Sequence, residues 1–231
     1  KTIHFLTQNP SYWCFDYWQK IEKAYNVRST FYFYAATAEK QGLLPWIIDP
    51  SYNIKRNRRV SLKIKQLVCE GFDIGLHGSF LSAVDEDRLY QEKNLLEDVT
   101  NRQTRKLRQH WLHYVEDITP YLHEKYFDYD STLGWNDRMG FRSGSASRYR
   151  PYDHIQQIAF KHQVTPQILM DSHIYDYGSG HVEEHMKNAL TMLQSLEAFK
   201  KPHVSISWHQ RVCSHDYGWH KAYEQILNRL N

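Results

Sequence analysis

The chain has 231 residues, 29 Lys and Arg against 26 Asp and Glu, and a formal net charge of +3, which is length enough for one substantial core and too little charge for a nucleic-acid footprint. Cys14, Cys69 and Cys213 are odd in number and have no Cys-x-x-Cys spacing, which argues against a disulfide framework and a cysteine-based zinc site. No stretch reaches the apolar length of a membrane span.

In chain order, Thr2 to Leu6 reads as a short strand and Phe15 to Tyr25 as a helix, with Trp18, Ile21 and Tyr25 on a helical period. Ser29 to Ala35 reads as a strand. The segment 37–58 is irregular and is expected to lie as an insertion over the mouth of the fold. Its basic run, Lys55-Arg-Asn-Arg-Arg59, reads as a solvated loop. Val60 to Glu70 is a helix stopped by Gly71, and Asp73 to His77 a strand. Asp85 to Arg102 puts Leu89, Leu95, Leu96 and Val99 on one helical side.

Lys106 to His110 follows as a strand, then a short helix from Thr119 to Tyr126 with Thr119 as N-cap and Pro120 in its first turn. From Asp130 to Asp153 the chain is loop-like, rich in Gly, Ser and Arg. Gln167 to Met170 is a strand ending at Asp171, His181 to Phe199 a helix, His203 to Trp208 a strand and Tyr217 to Leu230 a helix. This alternation predicts an α/β protein with a parallel sheet, closed or nearly closed as a barrel. With no Pro/Gly/Ser-rich linker, residues 1–231 are expected to form a single domain. Free thiols and the short apolar run at Lys1-Thr-Ile-His-Phe-Leu-Thr favour a cytoplasmic setting. A start on Lys1 is expected of an excised or processed chain.

Three of the strands end on a histidine: Phe72-Asp-Ile-Gly-Leu-His77, Lys106-Leu-Arg-Gln-His110 and Val204-Ser-Ile-Ser-Trp-His209. C-terminal strand ends form the open mouth of a parallel sheet, so the three imidazoles point to one shared site. Aromatic residues make up 15% of the chain and cluster near the loops, among them Trp13, Trp111, Tyr114, Trp135, Tyr149 and Tyr152. Such rings pack on the C–H faces of sugars, which makes carbohydrate the expected ligand class. A Tyr-rich core and surface would give the same composition.

Several segments together resemble the polysaccharide deacetylase family, the NodB-homology or carbohydrate esterase 4 group, in a branch with unusual motifs. They are Val27-Arg-Ser-Thr-Phe-Tyr-Phe, Asp73-Ile-Gly-Leu-His-Gly-Ser, Leu107-Arg-Gln-His-Trp-Leu, Tyr129-Asp-Ser-Thr-Leu-Gly-Trp, Gly140-Phe-Arg-Ser-Gly, Tyr149-Arg-Pro-Tyr-Asp and Ser207-Trp-His. The resemblance implies a distorted (β/α)7-type barrel with parallel strands and hydrolytic removal of an N- or O-acyl group from a sugar. It further implies a divalent, zinc-like metal that polarises the acyl carbonyl, an aspartate base, and a late histidine that protonates the leaving amine.

By that resemblance His77 matches the first metal histidine, His209 the general acid and Arg108 the arginine that orients the base. Asp130 and Trp135 match the acid and aromatic of the wall motif. Trp135, Arg142 and Asp171, with Trp111 and Tyr152, are the expected substrate contacts. The family's second metal histidine is replaced by Leu81, and Gln8, Asn9 and Ser11 stand where its first-strand aspartates would be. An amide cannot serve as a carboxylate base, so Asn9 holds the base's place without its chemistry. A substitute metal site would draw on His77, His110 and a carboxylate such as Asp16 or Asp130. His110 reads equally as a hydrogen-bonding corner, and Arg108 and Arg142 as anion binders or as partners of nearby carboxylates. His181 and His185, at i and i+4, read as a solvated helix start. Two functions remain: a deacetylase-like hydrolase with an altered or lost metal site, or a degenerate relative that binds a glycan or partner.

Overall fold

The computed structural model describes residues 11–35, 49–50, 52–177 and 179–230. The strand expected at Thr2 to Leu6 and most of the irregular segment 37–58 lie outside these residues, as does Asn9. The expected alternation is present. Helix α1 (Phe15–Ala24) leads to β1 (Thr30–Tyr34), α2 (Arg58–Cys69) to β2 (Asp73–Gly78), and α3 (Glu86–Thr100) to β3 (Lys106–Gln109). Helix α4 (Thr119–Tyr126) precedes β4 (Tyr129–Asp130); β5 (Tyr152–Asp153) and β6 (Ile158–Ala159) form a small hairpin before β7 (Gln163–Val164). Strand β8 (Gln167–Met170) runs into α5 (Asp171–Tyr175), followed by α6 (Val182–Ser195), β9 (Ser205–Ser207) and α7 (His220–Leu230).

Local chemistry sets the boundaries. Helix α2 starts at Arg58, two residues before the periodicity suggests, because Asn57 Oδ1 accepts the Val60 N–H at 3.2 Å. Gly71, at φ +81°, turns the chain out of α2 as expected of a helix stop. Asp85 caps α3 by accepting the Arg88 N–H at 3.0 Å, and Asn101 ends it at φ 52°. Thr119 is not a cap: α4 is preceded by Ile118, and the Thr119 hydroxyl instead donates to the Ala83 carbonyl at 2.9 Å. The hairpin β5–β6 and the short α5 were unmarked in the sequence, since two-residue strands and one-turn helices carry no measurable period.

Strands β1, β2, β3, β4 and β7 form one parallel sheet in that order, and β8 pairs with β9 in parallel. The Gln167 N–H donates to the Leu133 carbonyl at 2.9 Å, so β8 continues beside the extension of β4. Helix α1 meets α7 through Trp18 on Tyr223, with ring centroids 4.5 Å apart, and through the Tyr17 hydroxyl on Glu224 at 2.5 Å. The two ends of the described chain therefore come together, and the sheet curls towards a barrel.

Alternation of side chains divides the sheet into two faces. Leu76 and Leu107 are paired neighbours and belong to the core cluster between the sheet and α2, α3 and α4. One residue on, Tyr34, His77 and Arg108 are aligned across β1, β2 and β3 on the inner face. Below them Gly75 leaves room for the Tyr32 ring; a Cβ there would lie 2.5 Å from that ring and 3.1 Å from the Lys106 carbonyl. Gly75→Ala is expected to destabilise the protein by about 1–3 kcal/mol through overpacking, measured as a lowered urea midpoint with unchanged slope. An unchanged midpoint would mean that Tyr32 moves freely, contrary to its place under Arg108.

Candidate active site

The inner layer begins with Arg108. Its guanidinium lies over the Tyr32 ring, 4.6 Å from the centroid, and donates from Nη2 to Ser205 Oγ on β9 at 2.7 Å and from Nε to Ser131 Oγ at 3.2 Å. No carboxylate among the described residues forms an ion pair with it. A half-buried cation held by hydroxyls and a ring remains available to an anion or a developing negative charge.

His77 stands beside it. Its Nδ1 is 3.1 Å from the Arg108 carbonyl, which can only accept, so Nδ1 carries the proton and Nε2 holds the lone pair. Burial, with the nearby His110, Arg108 and His209, pushes the His77 pKa well below the ordinary histidine value. The ring is therefore neutral at physiological pH, and the Arg108–Ser205 hydrogen bond brings β9, which leads to His209, against the same layer.

His110 follows directly after β3, its ring 5.0 Å from that of His77. Its Nδ1 is 2.9 Å from Asp49 Oδ1, and the buried Asp49 also accepts the Phe80 N–H at 3.0 Å. The next two residues, Trp111 and Leu112, both take left-handed backbone with φ 57° and 48°. Two successive non-glycine residues in that region are strained, and such strain concentrates at functional turns. Trp111 is exposed at this turn, its ring 6.3 Å from that of His110.

His209 completes the group after β9. Its Nδ1 lies 2.9 and 3.1 Å from the two carboxylate oxygens of Asp171, and its own N–H donates to Asp171 Oδ2 at 2.7 Å. Asp171 is fully buried at the end of β8, whereas the His209 side chain is 45% exposed. A buried carboxylate thus fixes the ring orientation and its Nδ1–H tautomer, leaving Nε2 as the nitrogen that can exchange a proton. All three strand-end histidines share this design: Nδ1 is tied to a protein acceptor, and Nε2 has no such tie among the described residues.

The other expected site residues separate. Asp130 pairs in register with Leu107, so its side chain shares the outer, helix-facing side of the sheet and not the layer of Arg108. Asp171, expected as a substrate contact, sits behind His209 instead. Arg142 donates from Nη1 to the Leu112 and Gly134 carbonyls at 3.3 and 3.2 Å, tying the loops after β3 and β4 together. Trp135 is flanked by Arg138 and Arg142 at 5.0 and 5.6 Å, and its carbonyl accepts from His173 Nε2 at 3.0 Å. Tyr152 lies on the β5–β6 hairpin, its ring 5.2 Å from that of His154. Asp16 pairs with Lys63 at 2.8 Å, and His185 Nδ1 bonds the Ile174 carbonyl at 3.1 Å; neither belongs to the mouth.

These placements test the implied metal. His77 and His110 offer two Nε2 atoms with their Nδ1 atoms anchored as ligating histidines commonly are. No described carboxylate or thiol joins them within ligand distance; Asp16 and Asp130 are elsewhere and Asp49 serves His110 from behind. The described residues at the mouth do not complete a zinc site. Asp49 and His173 were the residues unforeseen in the sequence: one lies in an aperiodic segment, the other in a one-turn helix.

No model of a known family matches the sequence, and no curated protein matches it. Among solved structures the chain is similar to a Mycobacterium smegmatis protein whose assignment as a polysaccharide deacetylase is itself provisional, at 19% identity and a TM-score of 0.59, over 91% of this chain and 68% of that one. It is also similar to Puue allantoinase, at 15% identity and a TM-score of 0.55, over 91% of this chain and 64% of the other. The chain spans about two thirds of the length of each. Their different names leave the substrate to be argued from the site, whereas the fold is common to both. With a parallel curled sheet, strand-end histidines on its inner face and these likenesses, the chain has the NodB-homology fold of the polysaccharide deacetylases.

Proposed function

We propose that the chain is a deacetylase-like hydrolase that removes an acyl group, N-acetyl by preference, from a carbohydrate. The observation that carries this reading is the Asp171–His209 pair: a buried carboxylate, 2.9 Å from Nδ1, behind a half-exposed imidazole. Amide hydrolysis requires an activated water, a countercharge for the tetrahedral oxyanion and a proton for the departing nitrogen. His209 Nε2 supplies the proton exchange, the Arg108 guanidinium supplies the countercharge, and the neutral His77 offers its Nε2 lone pair to orient a water. Trp111 offers a flat apolar face to a sugar ring.

The test is acetate release from N-acetylated oligosaccharides. Release by the wild-type chain, reduced at least about 100-fold in His209→Ala, supports the hydrolase. A second reading, a glycan-binding protein without turnover, is favoured by one feature: the buried carboxylates Asp49 and Asp171, found at the mouth among the described residues, are already committed to histidines. Saturable oligosaccharide binding in calorimetry with no acetate released from any acylated sugar would establish that reading in place of the first.

A further inference from the structure

Behind the sheet, on the face opposite the strand-end histidines, lies a second group of ligating side chains. His123 from α4, Asp130 at the end of β4 and His162 just before β7 are 0%, 1% and 1% exposed. One atom from each, a ring nitrogen from each histidine and a carboxylate oxygen from Asp130, falls within 4.8 Å of the other two. His123 Nδ1 and Asp130 Oδ2 are 3.2 Å apart, yet neither has a hydrogen-bond partner, and neither does either ring nitrogen of His162. His123 Nδ1 and Asp130 Oδ2 thus face each other only as an ion pair, whereas both ring nitrogens of His162 are orphaned, and a buried polar atom left unsatisfied costs about 1–3 kcal/mol.

We infer that His123, Asp130 and His162 form a structural site for a divalent transition-metal cation, zinc by ligand chemistry, separate from the active-site mouth. Ligands about 2.0–2.2 Å from a tetrahedral zinc lie roughly 3.3–3.6 Å from one another, and the His123–Asp130 separation of 3.2 Å is close to that range. Two imidazoles and one carboxylate are a three-ligand zinc donor set, whose fourth position a water would take. The remaining contacts are those of an outer shell: Asp130 Oδ1 accepts the Thr132 N–H at 2.7 Å, and His123 Nε2 is 3.2 Å from the Gln109 side-chain amide. In the metal-bound form Nε2 of His123 carries its proton and the amide oxygen of Gln109 faces it, an orientation reached by a flip of the amide. Full burial leaves no open face for a substrate, so the cation acts as a staple. It ties α4, β4 and β7 together where β4 and β7 are only two residues long, and the strands flanking it carry the mouth on their other face.

The test uses the full chain purified, loaded with Zn2+ or Co2+, desalted and analysed for metal. The expected result is one tightly held equivalent, the visible bands of a low-symmetry Co2+ site, and a lowered Tm after chelation. His162→Ala takes the equivalent to none, whereas the double variant His77→Ala/His110→Ala retains it. Gln109→Ala weakens binding about 10–100-fold as an outer-shell change. The inference is overturned if folded wild type holds no metal, if the metal survives His162→Ala, or if it is lost only with the mouth histidines. Should His162→Ala not fold, Co2+ broadening of ring NMR signals in the wild type decides: His123 and His162 broaden most if the inference holds, and His77 and His110 if it fails.

Discussion

Asp171→Asn is expected to lower kcat for acetate release by about 10²–10⁴-fold, the range that positioned acid–base groups contribute, while KM changes little. Asp171 receives three donors on two oxygens: the Ser172 N–H at 2.7 Å, the His209 N–H at 2.7 Å and His209 Nδ1 at 2.9 Å. An asparagine keeps one acceptor and turns an NH2 towards groups that must donate. The favoured escape is for His209 to move its proton to Nε2 and accept at Nδ1, which removes the lone pair needed for chemistry. The readout is the pH profile of kcat together with the ring-nitrogen NMR signature of the His209 tautomer, both of which a merely structural role would leave in place. Asp49→Asn, made behind His110 in the same manner, is the comparison. A kcat untouched by Asp171→Asn would make the Asp171–His209 pair a packing corner and sink the mechanism.

That pair also marks the boundary of what the sequence discloses. The two residues are far apart along the chain, and each was visible as a strand-end polar group. Their contact follows from the parallel register in which Met170 pairs with Ser207, a relation that periodicity cannot supply. Helices α1, α3, α6 and α7 were legible because several turns of apolar repetition define a face. Asp130 was not, because β4 has two residues and a strand that short cannot announce which face an individual side chain takes. The resemblance set Asp130 at the mouth, whereas its register with Leu107 puts it on the far side of the sheet. Asp49 had no periodic context at all, although it holds His110 as Asp171 holds His209. Residue type at a strand end was therefore informative for the histidines, while the carboxylates that orient them emerged only with the tertiary structure.

The second large effect concerns stability and lies in the turn after His77. Glu92 of α3 is buried and accepts the Ser79 N–H at 3.0 Å, pinning the segment that follows β2. Burial pushes its carboxyl up to about 7, outweighing the hydrogen bonds from Ser79 and Ser82 and the nearby Arg88, which act the other way. In the unfolded chain a glutamate titrates at roughly 4.3. Between these values the folded protein holds a proton that the unfolded chain has released, so stability falls as pH rises through this window. The Glu92 contribution is complete below the unfolded value and is lost by a pH somewhat above the folded one, amounting to about 4 kcal/mol across the window. Glu92→Gln keeps an acceptor for the Ser79 N–H and cannot titrate. The unfolding free energy of the variant, followed by urea denaturation from pH 4 to pH 8, is therefore expected to lack that decline, whatever constant offset the amide introduces. Parallel curves for wild type and variant would show that Glu92 ionises in the folded protein as it does in the unfolded chain. The turn after His77 would then be held by a charged carboxylate, and not by a neutral one that survives burial.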